Sequence, residues 1–278
     1  MIKEINCKSA LYKIKSEWLP YKYDLNIYRG CLHNCKYCFA KYSHKYLDNT
    51  TETEFFNDIF VKKNIAEVLD KELSSLKWQG EVINLGGVTD CYQPLEAEYK
   101  LMPKVLDILI KHKQPISICT KSNLILRDFE KIKKLAEVAN VSIATTITTT
   151  NENLRKQIEP AASPSSERFN FLKEFKTKTN VKEIGILQMP ILPYLTDNQK
   201  DLQEIYKTAK EIGVDFIFSA ILNLRGETKI NYLKFIKEDF PDLYIQYLKL
   251  YRNNMHASKE YREKTYSMVK EIREKYDI

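Results

Sequence analysis

No uninterrupted apolar run of about 18 residues occurs in this 278-residue chain, so no membrane-spanning helix is expected. The opening stretch, MIKEINCKSALYKIKSEW, has no apolar core and carries Glu4 and Glu17. It does not read as a secretory signal, and a cytoplasmic setting is the expectation. Arginine is scarce: only eight of the 44 basic residues are arginine, and no dense basic run stands out. The net charge of +7 therefore reads as a solvated, lysine-rich surface, which permits a polyanionic partner without demanding one. Low-complexity segments and obvious linkers are missing too. Cysteine is sparse, with six residues. A disulfide framework is not expected in a long chain with ample core material and no export signal.

What the chain does have is apolar material, 44% of residues with 12% aromatic, enough for a sizeable core. It is arranged as an alternation of short β-branched runs and helix-period segments. Strands are expected at Tyr23–Tyr28, Glu81–Leu85, Ile116–Cys119, Val141–Thr146, Glu183–Met189 and Asp215–Ala220. A helix follows each one. The first helix takes its apolar positions from Val61, Ile65, Val68, Leu69, Leu73 and Leu76; the next four run near Tyr99–Ile110, Asp128–Val138, Glu167–Phe175 and Asn198–Ile212. Six βα units suit a parallel sheet covered by helices, but fall short of the eight that close a full barrel. The expected fold is α/β, a partial (β/α)6 TIM-type barrel, with a doubly wound sheet as the alternative. Residues 1–239 would form the barrel with its N-terminal extension. Residues 240–278 would form a helical C-terminal extension, with Tyr261, Thr265, Met268, Val269, Ile272 and Tyr276 as its packing stripe. In either fold, chemistry belongs at the C-terminal ends of the strands.

Three cysteines fall within eight residues just after the first strand: Cys31, Cys35 and Cys38 in NIYRGCLHNCKYCFAK. Clustered thiolates hold zinc or iron–sulfur clusters. A structural zinc site wants four protein ligands in a closed tetrahedron. His33 is the candidate fourth, but Cys-x-His-x-Cys on one tight loop would strain it. A [4Fe–4S] cluster held by three cysteines keeps one iron open for a substrate or cofactor. A fourth protein ligand at workable spacing, which an electron carrier would want, is missing.

Cys-x3-Cys-x2-Cys with an aromatic residue, Tyr37, before the last cysteine resembles the signature of the radical S-adenosylmethionine (SAM) superfamily. The longer string NIYRGCLHNCKYCFAKYSHKYL is similar to the branch related to spore photoproduct lyase, often labelled DNA repair photolyase-like. GGVTDCYQPLE, TKSNLILRD, IEPAASPSSERF and MPILPYLTD extend the likeness over roughly residues 20–240. The resemblance implies one [4Fe–4S] cluster on Cys31, Cys35 and Cys38, and reductive cleavage of SAM to a 5′-deoxyadenosyl radical that abstracts hydrogen from substrate. It implies an external one-electron donor such as a flavodoxin or ferredoxin, and it makes a nucleic-acid substrate an expectation. Gly86 and Gly87, with Thr89 and Asp90, would receive the SAM amino group. Lys121, beside Ser122, would pair with its carboxylate. Thr145 would reach the ribose, and Met189 would lie by the adenine, as would the backbone of Tyr37. Arg168 is either a second carboxylate clamp or the structural partner of Glu159.

Two departures from the branch stand out. Spore photoproduct lyases place a hydrogen-donor cysteine two residues before the SAM-contacting hydroxyl residue; counting back from Thr89 gives Gly87. They also flank the last cluster cysteine with two tyrosines, where this chain has Tyr37 and Phe39. Cys91 is then either a displaced donor, catalytic together with Tyr37, or a small core residue. Two other classes stay open: a non-catalytic iron–sulfur electron carrier or sensor, and a zinc-containing nucleic-acid-binding protein.

Overall fold

The computed structural model describes residues 1–17, 19–47, 52–252 and 255–278. The chain opens with two short strands, β1 (Ile2–Ile5) and β2 (Leu11–Lys13). Next come β3 (Tyr23–Leu25) and, after a bend, β4 (Tyr28–Arg29). Two 3₁₀ turns, Phe39–Tyr46 and Glu52–Phe56, lead to β5 (Ile59–Lys62) and α1 (Ile65–Leu73). Strands β1, β5 and β4 form a separate small sheet, in which β4 runs antiparallel to β5.

The single strand expected over Tyr23–Tyr28 is therefore two strands in two sheets. The backbone turns where Asn26 is captured: its carbonyl accepts from Lys62 Nζ at 2.5 Å and its side chain accepts from Val88 N at 3.0 Å. Val61, expected on the first helix, lies instead in β5. Ile59 and Val61 are buried with half-buried neighbours, a period of two that a strand satisfies and a helix does not.

From there the βα alternation runs as expected. Strand β6 (Ile83–Leu85) precedes α2 (Glu96–Tyr99) and α3 (Leu101–Lys111), which are separated by Lys100 in the left-handed region at φ 48°. Strand β7 (Ile116–Cys119) leads through a 3₁₀ turn to α4 (Phe129–Val138). Strand β8 (Val141–Thr146) precedes α5 (Glu152–Ile158) and α6 (Ser165–Lys178). Strand β9 (Glu183–Ile191) precedes α7 (Gln199–Ile212), and β10 (Phe216–Ile221) precedes α8 (Glu227–Asp239). The seven-stranded sheet has the order β10-β9-β8-β7-β6-β3-β2. Its six barrel strands are parallel in sequential order, and β2 adds an antiparallel edge.

Register sorts the strand residues onto two faces, because partners in a parallel sheet point the same way. Leu25, Leu85, Ile118, Ile143 and Ile184 are paired in sequence across five strands and are all buried against the helices. Each such side chain contributes about 1.5–3 kcal/mol. The opposite, inner face is polar or small on β3, β6, β7 and β8, and carries the apolar Leu187, Phe216 and Phe218 on β9 and β10. Asp24, Asn84, Ser117 and Ser142 form one register layer across β3, β6, β7 and β8. Above it stand Cys119, Ala144, Gly185 and Phe216, and above those Thr146, Leu187 and Phe218. The inner face can therefore take a polar ligand.

The C-terminal helices are α9 (Pro241–Leu250), with proline at its first turn, and α10 (Lys259–Tyr276), capped by Ser258. Helix α10 buries Thr265, Val269 and Ile272, while Tyr261, Met268 and Tyr276 are half-buried beside them, so the expected packing stripe is the observed one.

Candidate active site

The cysteine loop leaves β4 through Gly30, at φ +82°. A Cβ there would lie 2.6 Å from the Asp58 carbonyl, so only glycine fits. Cys31 and Cys35 are buried and Cys38 is half-buried; all three thiols are free. The loop is held from the second 3₁₀ turn, the end of α5 and the segment after β6. Cys31 N donates to Phe55 O at 3.1 Å and Lys36 N to Ile158 O at 2.9 Å, while the carbonyl of His33 accepts from Ala161 N at 3.3 Å. Gln93 accepts from Leu32 N at 2.8 Å and donates to Gly30 O at 3.2 Å. Thr89 donates its hydroxyl to Gly30 O at 2.6 Å. Burial pushes all three thiols up, Cys35 to about 12.

Asp90 ties this loop to the sheet. One carboxylate oxygen accepts from Tyr92 N at 2.9 Å and Thr120 Oγ1 at 2.7 Å; the other accepts from Lys121 N at 2.9 Å and meets His33 Nδ1 at 3.3 Å. Burial works against the charge of Asp90, but His33 and these donors more than reverse it and hold the carboxyl well below the usual range.

Beneath the loop sits a second hub. Glu159, fully buried after α5, accepts from the Tyr37 hydroxyl and from Thr148 Oγ1, and pairs with Arg168 Nη2 at 2.5 Å. Arg168 is itself fully buried and also donates to Ser163 O at 2.7 Å and Thr146 O at 2.9 Å. Of the two roles open to Arg168, the observed one is the pair with Glu159. The Lys121 ammonium lies 5.9 Å from the centre of the Tyr37 ring. Burial disfavours its charge, yet Cys35 and Glu159 close by hold it above the ordinary lysine value.

The fold thus gathers Cys31, Cys35, Cys38, Tyr37, Thr89, Asp90, Lys121 and Arg168 at the C-terminal strand ends, with Gly86 and Gly87 in the turn after β6. Met189 lies half-buried on the inner face of β9. Thr145 faces the helices and donates to Thr120 O at 2.6 Å. Ser122 caps the 3₁₀ turn by accepting from Leu124 N at 3.2 Å. Cys91 is sealed in the core with no exposure and is not brought to the inner face. Asp24 and Asn84 escaped the sequence reading; a polar residue inside a short strand looks solvent-facing until register turns it inward.

Three thiols on one loop are the donor chemistry that an iron–sulfur cluster uses. Among the described residues, no three His, Cys, Asp or Glu side chains are grouped to hold one ion. His33, the candidate fourth zinc ligand, faces Asp90.

Residues 25–238 match the family model of the radical SAM superfamily. An uncharacterized protein of Mycobacterium tuberculosis is 33% identical over 99% of this chain and 81% of its own length. An uncharacterized protein of Methanocaldococcus jannaschii is 28% identical over 86% of this chain and 87% of its own. Among solved structures, spore photoproduct lyase shares the fold with a TM-score of 0.67 at 12% identity, over 99% of this chain and 79% of that one. Another structure of that lyase, with the same TM-score, identity and share of this chain and 78% of its own, holds AdoMet and dinucleoside spore photoproduct. With three free thiols on one loop at the strand ends and a family model that spans most of the barrel, the chain belongs to the radical SAM superfamily.

Proposed function

We propose that the chain is a radical SAM enzyme in which Cys31, Cys35 and Cys38 hold one [4Fe–4S] cluster. That cluster would supply the electron for reductive cleavage of SAM to a 5′-deoxyadenosyl radical, which takes a hydrogen atom from substrate. The observation that carries the reading is the loop of three free thiols, fastened to the segment after β6 by Gln93, Thr89 and Asp90, with the Lys121 cation beside Cys35. Lys121 is the proposed partner of the SAM carboxylate. Gly86 turns at φ +88°, where a Cβ would lie 2.8 Å from Thr89 O, and so brings bare backbone toward the amino group. Met189 and the backbone of Tyr37 would flank adenine. Asp90 and Arg168 act through others, by holding the loop. An external donor such as flavodoxin or ferredoxin would deliver the electron.

A nucleic-acid substrate is the finer part of the proposal. Tyr12, Phe39, Tyr42, Tyr46 and Phe218 are all exposed, and Tyr42 feels the charges of both Asp24 on β3 and Arg225 beyond β10. Exposed rings, with Tyr42 near the Arg225 cation, suit stacking of unpaired bases. The electron-carrier reading needs a fourth protein ligand, and His33 is committed to Asp90.

Anaerobic reconstitution with iron and sulfide, then SAM and a strong reductant, tests the enzyme reading. A brown protein that slowly releases 5′-deoxyadenosine without substrate is expected. A fully loaded protein that releases none would refute it. For the substrate, a gel shift with single-stranded DNA should weaken as salt rises; no shift even at low salt would remove the nucleic acid.

A further inference from the structure

The turn after β6 poses a steric question. A Cβ built on Gly87 would lie 2.1 Å from Asp24 Oδ2 and 2.6 Å from Oδ1. The carboxylate of Asp24 therefore fills the space that any side chain at position 87 would need. Position 87 is also where the spore photoproduct lyase pattern puts its hydrogen-donor thiol. In this chain a carboxylate reaches that place from the neighbouring strand.

Asp24 is bonded to the protein through one oxygen and is half-buried. Oδ1 accepts from Asn84 Nδ2 at 2.7 Å. Oδ2 accepts no hydrogen bond, and no cation pairs with Asp24, among the described residues. Its surroundings on the inner face are hydrogen-bonding groups, with Asn84 and Ser117 in the same register layer. Tyr21 and Tyr42 both feel its charge. Burial raises its carboxyl above the usual range despite the bond from Asn84, as expected of an anion without a counter-charge.

We propose that Asp24 anchors the substrate by accepting from a cationic or N–H-donating group on the inner face of the barrel, between Asn84 and Gly87. This rests on the radical SAM reading only for what happens to the bound molecule. A half-buried carboxylate with one free oxygen and no internal cation favours a ligand that brings the missing donor. It selects against carboxylates and phosphates at the same point. A carboxylate has no hydrogen atom of thiol reactivity to give, so the group at this place holds substrate rather than ending the radical reaction.

Calorimetric titration of the reconstituted protein with benzamidine, and with benzoate as its anionic counterpart, tests the assignment. Benzamidine is expected to bind and benzoate not to. Asp24→Asn, which keeps the shape and removes the charge, should weaken benzamidine by about tenfold or more. Gly87→Ala should weaken it as well, because the added methyl drives the carboxylate aside. Equal binding to wild type and Asp24→Asn would overturn the proposal. So would benzoate binding as well as benzamidine to the wild type, a comparison that needs no variant to fold. Failure of the radical SAM reading would appear separately, as a loaded wild-type protein that releases no 5′-deoxyadenosine while the benzamidine preference stands.

Discussion

Replacing Glu159 by Gln perturbs the hub under the cysteine loop while changing shape little. Glu159 and Arg168 are both fully buried and meet at 2.5 Å. Losing one partner leaves the Arg168 charge uncompensated in a region that already holds the Lys121 cation, at a cost of about 3–5 kcal/mol. For a domain of this size that lowers the melting temperature by roughly 6–10 °C. Tyr37→Phe removes one hydrogen bond to the same carboxylate and should cost only about 1 kcal/mol. The pair also dictates a pH dependence. Burial raises the Glu159 carboxyl, but Arg168 and Lys121 outweigh it and bring the net value below the ordinary 4.5. A carboxyl depressed in the folded state stabilises above its unfolded value, and this stability drains away as pH falls through the folded one. The wild type should therefore lose more stability than Glu159→Gln on acidification below about pH 4.5. Denaturant melts of both proteins across pH 3–7 measure this. A Glu159→Gln protein that melts within about 1 °C of wild type would show the buried pair to be worth nothing and refute the reasoning.

Three further outcomes follow from the same geometry. Asp90→Ala strands His33, Thr120 Oγ1 and two backbone N–H groups, so the reconstituted protein should be destabilised by on the order of 3 kcal/mol and lose iron on gel filtration; full iron retention would contradict its role. Gly30→Ala puts a methyl 2.6 Å from Asp58 O at a left-handed backbone position, and should sharply reduce iron uptake measured by absorbance; normal uptake would show that the loop entry is not constrained. Ile118→Ala, on the helix-facing layer with no exposure, should cost about 2–5 kcal/mol in a denaturant melt and leave the iron-to-protein ratio of the folded fraction unchanged.

The parallel barrel was legible because its strands are period-two apolar runs separated by helix-period segments. Ile116–Cys119 and Val141–Thr146 have the bounds read from sequence. The small sheet was not, because β4 has two residues and β5 sits directly before a helix whose apolar residues continue its own. The break at Lys100 escaped because lysine at positive φ carries no local signal, unlike glycine. In the site, the cysteine spacing pointed straight to its chemistry. Asp90 and Gly87 were noticed as ligand contacts, but their surroundings depend on tertiary partners: Asp90 bonds to His33 and Thr120, and Gly87 makes room for Asp24. No single-sequence pattern reveals that a strand aspartate will meet a glycine more than sixty residues away.

The most direct test of the central claim is electron paramagnetic resonance of the reconstituted, reduced protein before and after SAM is added. The account predicts about four iron and four sulfide per chain and a reduced-cluster signal whose line shape shifts on SAM addition. A signal indifferent to SAM in a fully loaded protein, or zinc in place of iron, would contradict it.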